Sequence, residues 1–442
     1  MNESTLDRYH HAFRTLARTL PGAELAWLRG ARRNAFERFD KLRFPSTRLH
    51  EWKHTNVAQI GAREWHFASP RGDDVDVAGI VDDLILDESA HRLVFVNGRH
   101  APRLSRTSDL PDGVFIGSLT RALREIPERI ETLLAHHVPH DGFEALNTAF
   151  LSDGYVVVLP PECRLEAPIQ MLFVADEAGL AIHPFNAVLA GRGARCTVIE
   201  QFVGVADDSY LTNTVTRIVA EAGADVEHCR IQHEAGRAYH IGRLSCAQQQ
   251  ASHVASHSFA LGAALSRVEI DARLSGTDAR CDLNGLYFAG ARQHVDHHTC
   301  IDHESARGTS RESYRGVLDG TAHGVFDGRV IVHQDAQQTD VHQSSRNLLL
   351  SREAEIDTTP QLEIHADDVK CTHDATVGKL DETQLAQLRA RGMDEPQARA
   401  TLIWAFARDI VDCVGAHGVR TRLAKMLLAR MPGGDRVERE HS

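Results

Sequence analysis

From Tyr155 to Val377 the sequence strings together short β-rich runs: YVVVL, IQMLFV, CTVIEQFV, NTVTRIVA, VEHCRI, GRLSC, HSFAL, RGVL and GRVIV. Gly, Asp, Asn or Ser turns separate them, and no helical period intervenes. A wound α/β sheet needs a crossover helix between parallel strands, so that class is excluded, and a sandwich, a barrel or a β-solenoid remains. Three fragments, LSGTDARCDLNG, LDGTAHGVFDG and LSREAEIDTTP, each set an apolar residue, a turn and a small residue before a strand. Their spacing, roughly 30 to 45 residues, is loose for stacked coils. A solenoid is nevertheless the favoured reading: each coil would cover the apolar edge of the one before, and the end coils would need caps.

The flanks are different. Within residues 1–154, Leu6, Phe13, Leu16 and Leu20, then Leu25, Leu28 and Phe36, recur at helical spacing around a Pro21-Gly22 break, which predicts a helical hairpin. FPSTRLHEWKHTNV reads as an irregular segment folded back on those helices, with Trp52 as a core anchor. Asn97-Gly98 between apolar runs predicts a β-hairpin. Leu119 to His136 predicts one helix capped by Ser118, and FEALNTAFLSDG a shorter one. The strand-rich core is bounded at 155–378. In residues 379–442 the period is helical again: Thr383 to Ala390, Glu395 to Val414 and Arg420 to Leu428 precede a charged tail. Leu388, Leu402, Ile403, Phe406, Ile410 and Val411 form an apolar face that would either dock a partner or pack on the solenoid end.

Chemistry is confined to few places. No G-x-x-x-x-G-K-[ST], no supported G-x-G-x-x-G and no G-x-S-x-G occur, so neither nucleotide hydrolysis nor nucleophilic hydrolysis by this chain is expected. A net charge of -12 without a basic run argues against nucleic acid. With no membrane-length apolar run and no secretory leader, the expected location is the cytoplasm. The eight cysteines form no Cys-x-x-C pair, and most are expected to be small buried hydrophobes. In LEIHADDVKCTHDATVG, Cys371 and His373 stand two apart, so on a strand both leave one face, about 7 Å apart. A thiolate beside an imidazole can hold iron, zinc or sulfide, yet a closed site needs about four ligands, so these two are an incomplete set that calls for a partner. HVDHHTCIDH offers a second set: His294, Asp296, His298 and Cys300 on one strand face, the basis of an alternative reading as a metal-dependent enzyme on a β-helix or β-sandwich.

The run from HVDHHTCIDH through NLLLSREAEIDTTPQLEIHADDVKCTHDATVG, together with EWKHT and ALNTAFLSDG, resembles the SufB/SufD family of scaffold subunits of the SUF iron–sulfur cluster assembly system. The K-C-x-H strand and NLLLS followed by a threonine-proline turn favour its SufD branch. Departures are local: His54 and His365 stand where an aromatic is usual, Asp374 where glycine is usual, and AQLRARG lacks an aromatic pair. The resemblance implies a right-handed parallel β-helix between an N-terminal α/β region and C-terminal helices. It also implies pairing with the paralogue SufB through the β-helix ends, and a copy of the ATPase SufC on the C-terminal helices. Cys371 and His373 match the family's K-C-x-H motif, with His373 the residue implicated in cluster assembly and Cys371 an auxiliary. The implied role is a non-catalytic scaffold carrying a transient iron–sulfur cluster shared with SufB. A purely structural adaptor is the other alternative. Reduced flavin belongs to the implied assembled system, but no motif here binds it.

Overall fold

The computed structural model describes residues 3–67, 77–107, 109–135, 137–205 and 208–441. The chain is mainly β, a solenoid of about eight turns. Successive strands alternate between two sheets, and within each the solenoid strands pair in parallel. Sheet I runs outward through Asp225–His233, His253–Ala260, Arg280–Ala289, Thr309–Leu318 and Thr339–Leu349 to Val369–Gly378. Sheet II ends in His294–His303, His323–Val332 and Glu355–Ile364. The true repeat is tighter than the fragment spacing: His253 pairs with Arg280 and Thr309 with Asp340, repeats of about 27 and 31 residues. The looser spacing arose because LSGTDARCDLNG leads into sheet I whereas the other two fragments lead into sheet II.

Among the described residues, one corner of the coil is built the same way seven times. Glu162, Gly193, Gly223, Ala251, Asp278, Arg307 and Gln338 all have φ between 53° and 70°. The amide of each donates to a carbonyl of the next coil, at 2.6 to 3.1 Å. This left-handed turn redirects the chain, and stacking the bonds satisfies backbone groups that a solenoid would otherwise bury unpaired. Inside, equivalent side chains stack at the strand spacing. Phe95, Phe173 and Phe202 lie ring on ring with centroids 4.8 Å apart.

The outer faces are covered as well, which is why runs such as YVVVL are continuously apolar rather than alternating. Helices Glu3–Leu16, Ala26–Leu42 and Gly142–Phe150 form a core with Trp52, Leu211, Tyr239, Ile241 and Leu265 on the outside of sheet II. The N-terminal region also enters the solenoid itself, because His91–Val96 pairs in parallel with Ile169–Ala175. The helix expected from Leu119 is two, Leu119–Glu125 and Pro127–Leu134. Pro127 lacks an amide proton and restarts the helix at its first position. Ser118 caps the first, accepting from the Arg121 amide at 3.2 Å, and His136 lies outside the described residues. Glu395–Asp412 and His417–Leu428 cover sheet I, and the charged tail adds a further helix, Gly434–His441.

Candidate functional site

Val369–Gly378 and Glu355–Ile364 are the outermost strands of their sheets, so each presents one unpaired edge. In the middle coils the side chains facing inward are buried, whereas along these two strands every residue is half-buried or exposed. The threonine-proline pair expected to turn, Thr359-Pro360, lies instead within the strand Glu355–Ile364. An edge strand tolerates this proline because one side of its backbone needs no ladder bond.

Cys371 and His373 occupy this open coil on the same inward face. Cys371 stacks on Val341, Ser310 and Cys281 in turn, is half-buried, and packs with Leu362 and Val369. Burial pushes its thiol pKa up, and the Asp340 charge adds to that, so it is a protonated thiol at neutral pH. His373 is exposed and stacks on Gln343, whose Nε2 donates to Glu312 at 2.7 Å one coil deeper. Burial raises the Glu312 carboxyl to about 7 against the hydrogen bonds from Thr299 and Gln343. Asp374 faces outward, accepting from Ser344 at 3.0 Å and lying 3.6 Å from Arg346.

HVDHHTCIDH forms the strand His294–His303, and its alternate residues point outward as expected. They do not form a common metal site. Asp296 is fully buried beneath the segment around Trp52, paired with Arg267, bonded by the Thr55 hydroxyl and 3.0 Å from His298. Burial alone would raise its carboxyl, but Arg267 and then His298 hold it far below the usual carboxylate range. Cys300 instead sits beside Arg329, at 3.9 Å, with its thiol pKa pushed up by burial. The inward histidines are structural: burial lowers His297 to about 3 and His303 to about 4. Among the described residues, no group of three or more His, Cys, Asp or Glu side chains could hold a metal ion.

The apolar face proposed for docking divides. Ile403, Ile410 and Val411 are buried against Ile199, Ile231, Phe259 and Leu286 of sheet I, so they fasten the helices to the chain's own solenoid. Leu388, Leu402 and Phe406 stay half-buried, with Arg315 stacked over the Phe406 ring at 5.4 Å and paired with Asp409 at 2.7 Å.

A long parallel solenoid, helices on both flanks and a K-C-x-H strand on an open terminal coil are thus all present. Residues 173–406 match the SUF system FeS cluster assembly, SufBD core domain, and residues 3–171 match the SufBD protein N-terminal region. The chain belongs to the SufBD family. Relatives extend over nearly the whole length. An iron-sulfur cluster assembly SufBD family protein of Synechocystis is 30% identical, covering 97% of both chains. Iron-sulfur cluster assembly protein SufD of Escherichia coli is 30% identical over 88% of this chain and 90% of its own. SufD of Bacillus subtilis is 25% identical over 91% and 94%. No helix among the described residues is long and apolar enough to cross a membrane.

Sequence reasoning missed Glu312 and Gln343 beneath His373, and His54, His323 and Asp357 beside His294. The signal was the repeat itself: offsets of about 30 residues place 312, 343 and 373 in one column and stack 294 on 323.

Proposed function

We propose that this SufBD protein is a SufD-type scaffold subunit that performs no catalytic step of its own. It holds a nascent iron–sulfur cluster at an interface with a SufB-type paralogue in the cytoplasm. The observation that carries this reading is the open terminal coil, where two unpaired strand edges flank Cys371 and His373 on one accessible face. Pairing with a second β-helix end would satisfy those edges and complete a ligand set that two donors leave unfinished. The chemistry is suited to transient holding. A protonated Cys371 becomes a ligand only when bound metal displaces its proton, and His373 can coordinate without ionising. The ATPase SufC would engage the outer side of the C-terminal helices, where Leu388 and Leu402 are half-exposed, Phe406 being partly taken up by Arg315. ATP-driven movement there would open or close the terminal coil.

The test is co-expression with SufB and SufC candidates, followed by sizing and iron and sulfide assay of wild type and His373→Ala. A stable complex whose cluster content falls in the variant is expected. Failure of the wild-type chain to assemble would refute the partnership. Undiminished cluster in His373→Ala would leave the chain as an adaptor.

A further inference from the structure

A cavity of about 390 Å³ opens in the N-terminal half of the chain, and every residue lining it lies between Leu16 and Ile182. This volume is within the range of small-molecule sites. One wall is apolar: Leu20, Ala181 and Ile182 are buried, and Leu16, Pro21 and Phe67 are half-buried beside them. Phe67 is held in place by stacking on Phe150, ring centroids 4.4 Å apart.

The opposite wall is polar and fastened by one carboxylate. Asn97 and Gly98, with φ of 50° and 77°, form the two-residue turn between His91–Val96 and Arg99–His100. A Cβ at Gly98 would come within 2.5 Å of the Ile182 side chain, so the tip of this hairpin is pressed against the apolar wall. Asp153, buried, accepts from the His100 amide at 3.2 Å with one oxygen and from the Thr120 amide at 3.1 Å with the other. It thereby ties the hairpin that carries Arg99 to the helix that carries Arg124, and its charge is spent on backbone amides. Both arginines line the cavity and are exposed.

Their charges are not neutralised by the protein. Arg124 Nε donates to the Thr120 carbonyl at 3.3 Å, which leaves its two Nη groups, and the adjacent Glu125 pairs with Arg121 at 2.9 Å. Among the described residues, neither Arg99 nor Arg124 has a carboxylate partner. A second cavity of about 380 Å³, on the outside of sheet II, is different. There Arg243 and Arg267 both pair with Glu269, and Arg329 lies 3.6 Å from Glu363. The arginines of that cavity are occupied, whereas those of the first still have donors to offer. Ser152, on the same wall as Asp153, adds a hydroxyl whose contact with the His183 carbonyl is long, at 3.5 Å.

We propose that this cavity binds a phosphate monoester carrying a compact apolar body. Guanidinium groups recognise phosphate oxygens through paired, charge-assisted hydrogen bonds. A phosphate monoester is close to a dianion at neutral pH and so matches two guanidinium charges, which a monocarboxylate does not. The apolar body would lie on Phe67, Leu20 and Ile182, and by excluding water it would strengthen the charged bonds at the other end. The site shares no residue with Cys371, His373 or the terminal coil, and it stands whether or not those residues hold a cluster.

The probe is phenyl phosphate, titrated into the full-length, tag-free chain and followed by calorimetry. One equivalent should bind with a Kd of about 1 mM or tighter. Inorganic phosphate, which lacks the apolar body, and phenol, which lacks the charge, should each bind about 10-fold more weakly or worse. Arg99→Gln and Arg124→Gln should each weaken phenyl phosphate by about 10-fold or more. Arg129→Gln, at an exposed arginine outside the cavity, should bind as wild type. Because Arg99 and Arg124 are exposed and hold no carboxylate, thermal melts of their variants should coincide with wild type. Absence of saturable binding, equal affinity for phenyl phosphate and either fragment, or unaltered affinity in either cavity variant would overturn the proposal.

Discussion

Replacing Arg267 by leucine tests the assignment of HVDHHTCIDH to structure rather than catalysis. Arg267 is 1% exposed and Asp296 is fully buried. The guanidinium joins Asp296, reaches Glu269 at 2.6 Å and lies over the Trp52 ring. Removing it strands a buried carboxylate that burial alone would disfavour, a loss of about 3–5 kcal/mol. The missing cation–π contact adds about 1 kcal/mol. Replacing Asp296 and Arg267 together by leucine removes both charges, so the double variant should recover about 2 kcal/mol or more of the summed single losses. Urea melts of the four proteins give the cycle, and limited proteolysis near Trp52 should show which part loosens first. A single-variant cost below about 1 kcal/mol, the scale of a surface pair, would refute the argument.

Other outcomes follow from other elements. His253 is raised to about 9 by hydrogen bonds to Asp225 and Asp282. Its contribution is complete below about pH 6.5 and is lost as pH rises through about 9. With the side chain 31% exposed, screening trims the contribution to about 1–2 kcal/mol, and His253→Gln should abolish this slope in pH-dependent melts. Parallel curves would exclude it. Glu312 is raised to about 7, so ionising it costs stability as pH climbs from about 4.5 to 7. Glu312→Gln should therefore stabilise by about 1–3 kcal/mol near pH 8 and by little near pH 5. Ala251 sits at φ 53° in the corner ladder, and Ala251→Gly should gain about 0.5–1 kcal/mol by relieving that conformation. A destabilised melt would show that chain entropy outweighs the strain. In the assembled complex, nucleotide should change the alkylation rate of Cys371, and an unaltered rate would sink ATP-driven opening of the terminal coil.

The solenoid was legible in its outline because parallel strands covered on both faces must read as short, continuously apolar runs. Its period was not, and the corner ladder explains why. Five of the seven left-handed corner residues are Glu162, Ala251, Asp278, Arg307 and Gln338 rather than glycine, so the residue type that usually marks such a turn is missing. Their conformation is maintained by bonds from coil to coil, a tertiary cause that a local reading cannot see. The helix break at Pro127 was local and could have been read. The burial of Ile403, Ile410 and Val411 could not, because an apolar helix face looks the same whether it meets its own sheet or a partner.

The same distinction governs the candidate site. The i, i+2 spacing of Cys371 and His373 gives their shared face from sequence, since strand geometry alone fixes it. That they stand on the terminal coil depends on where the stack ends, and this changes what they can do. One coil deeper, the equivalents Val341 and Gln343 are sealed within the core at 2% and 0% exposure. A cluster could not reach that depth without opening the solenoid, whereas on the last coil the donors are reachable from the end without disturbing the rungs beneath. Leaving the end uncapped exposes strand edges and apolar side chains such as Ile364 and Val377. A chain that kept this end only for itself would gain by covering it. On the proposed reading, a partner supplies the cap and the missing ligands at this end together, which is what the cluster assay of His373→Ala in the co-expressed complex reads.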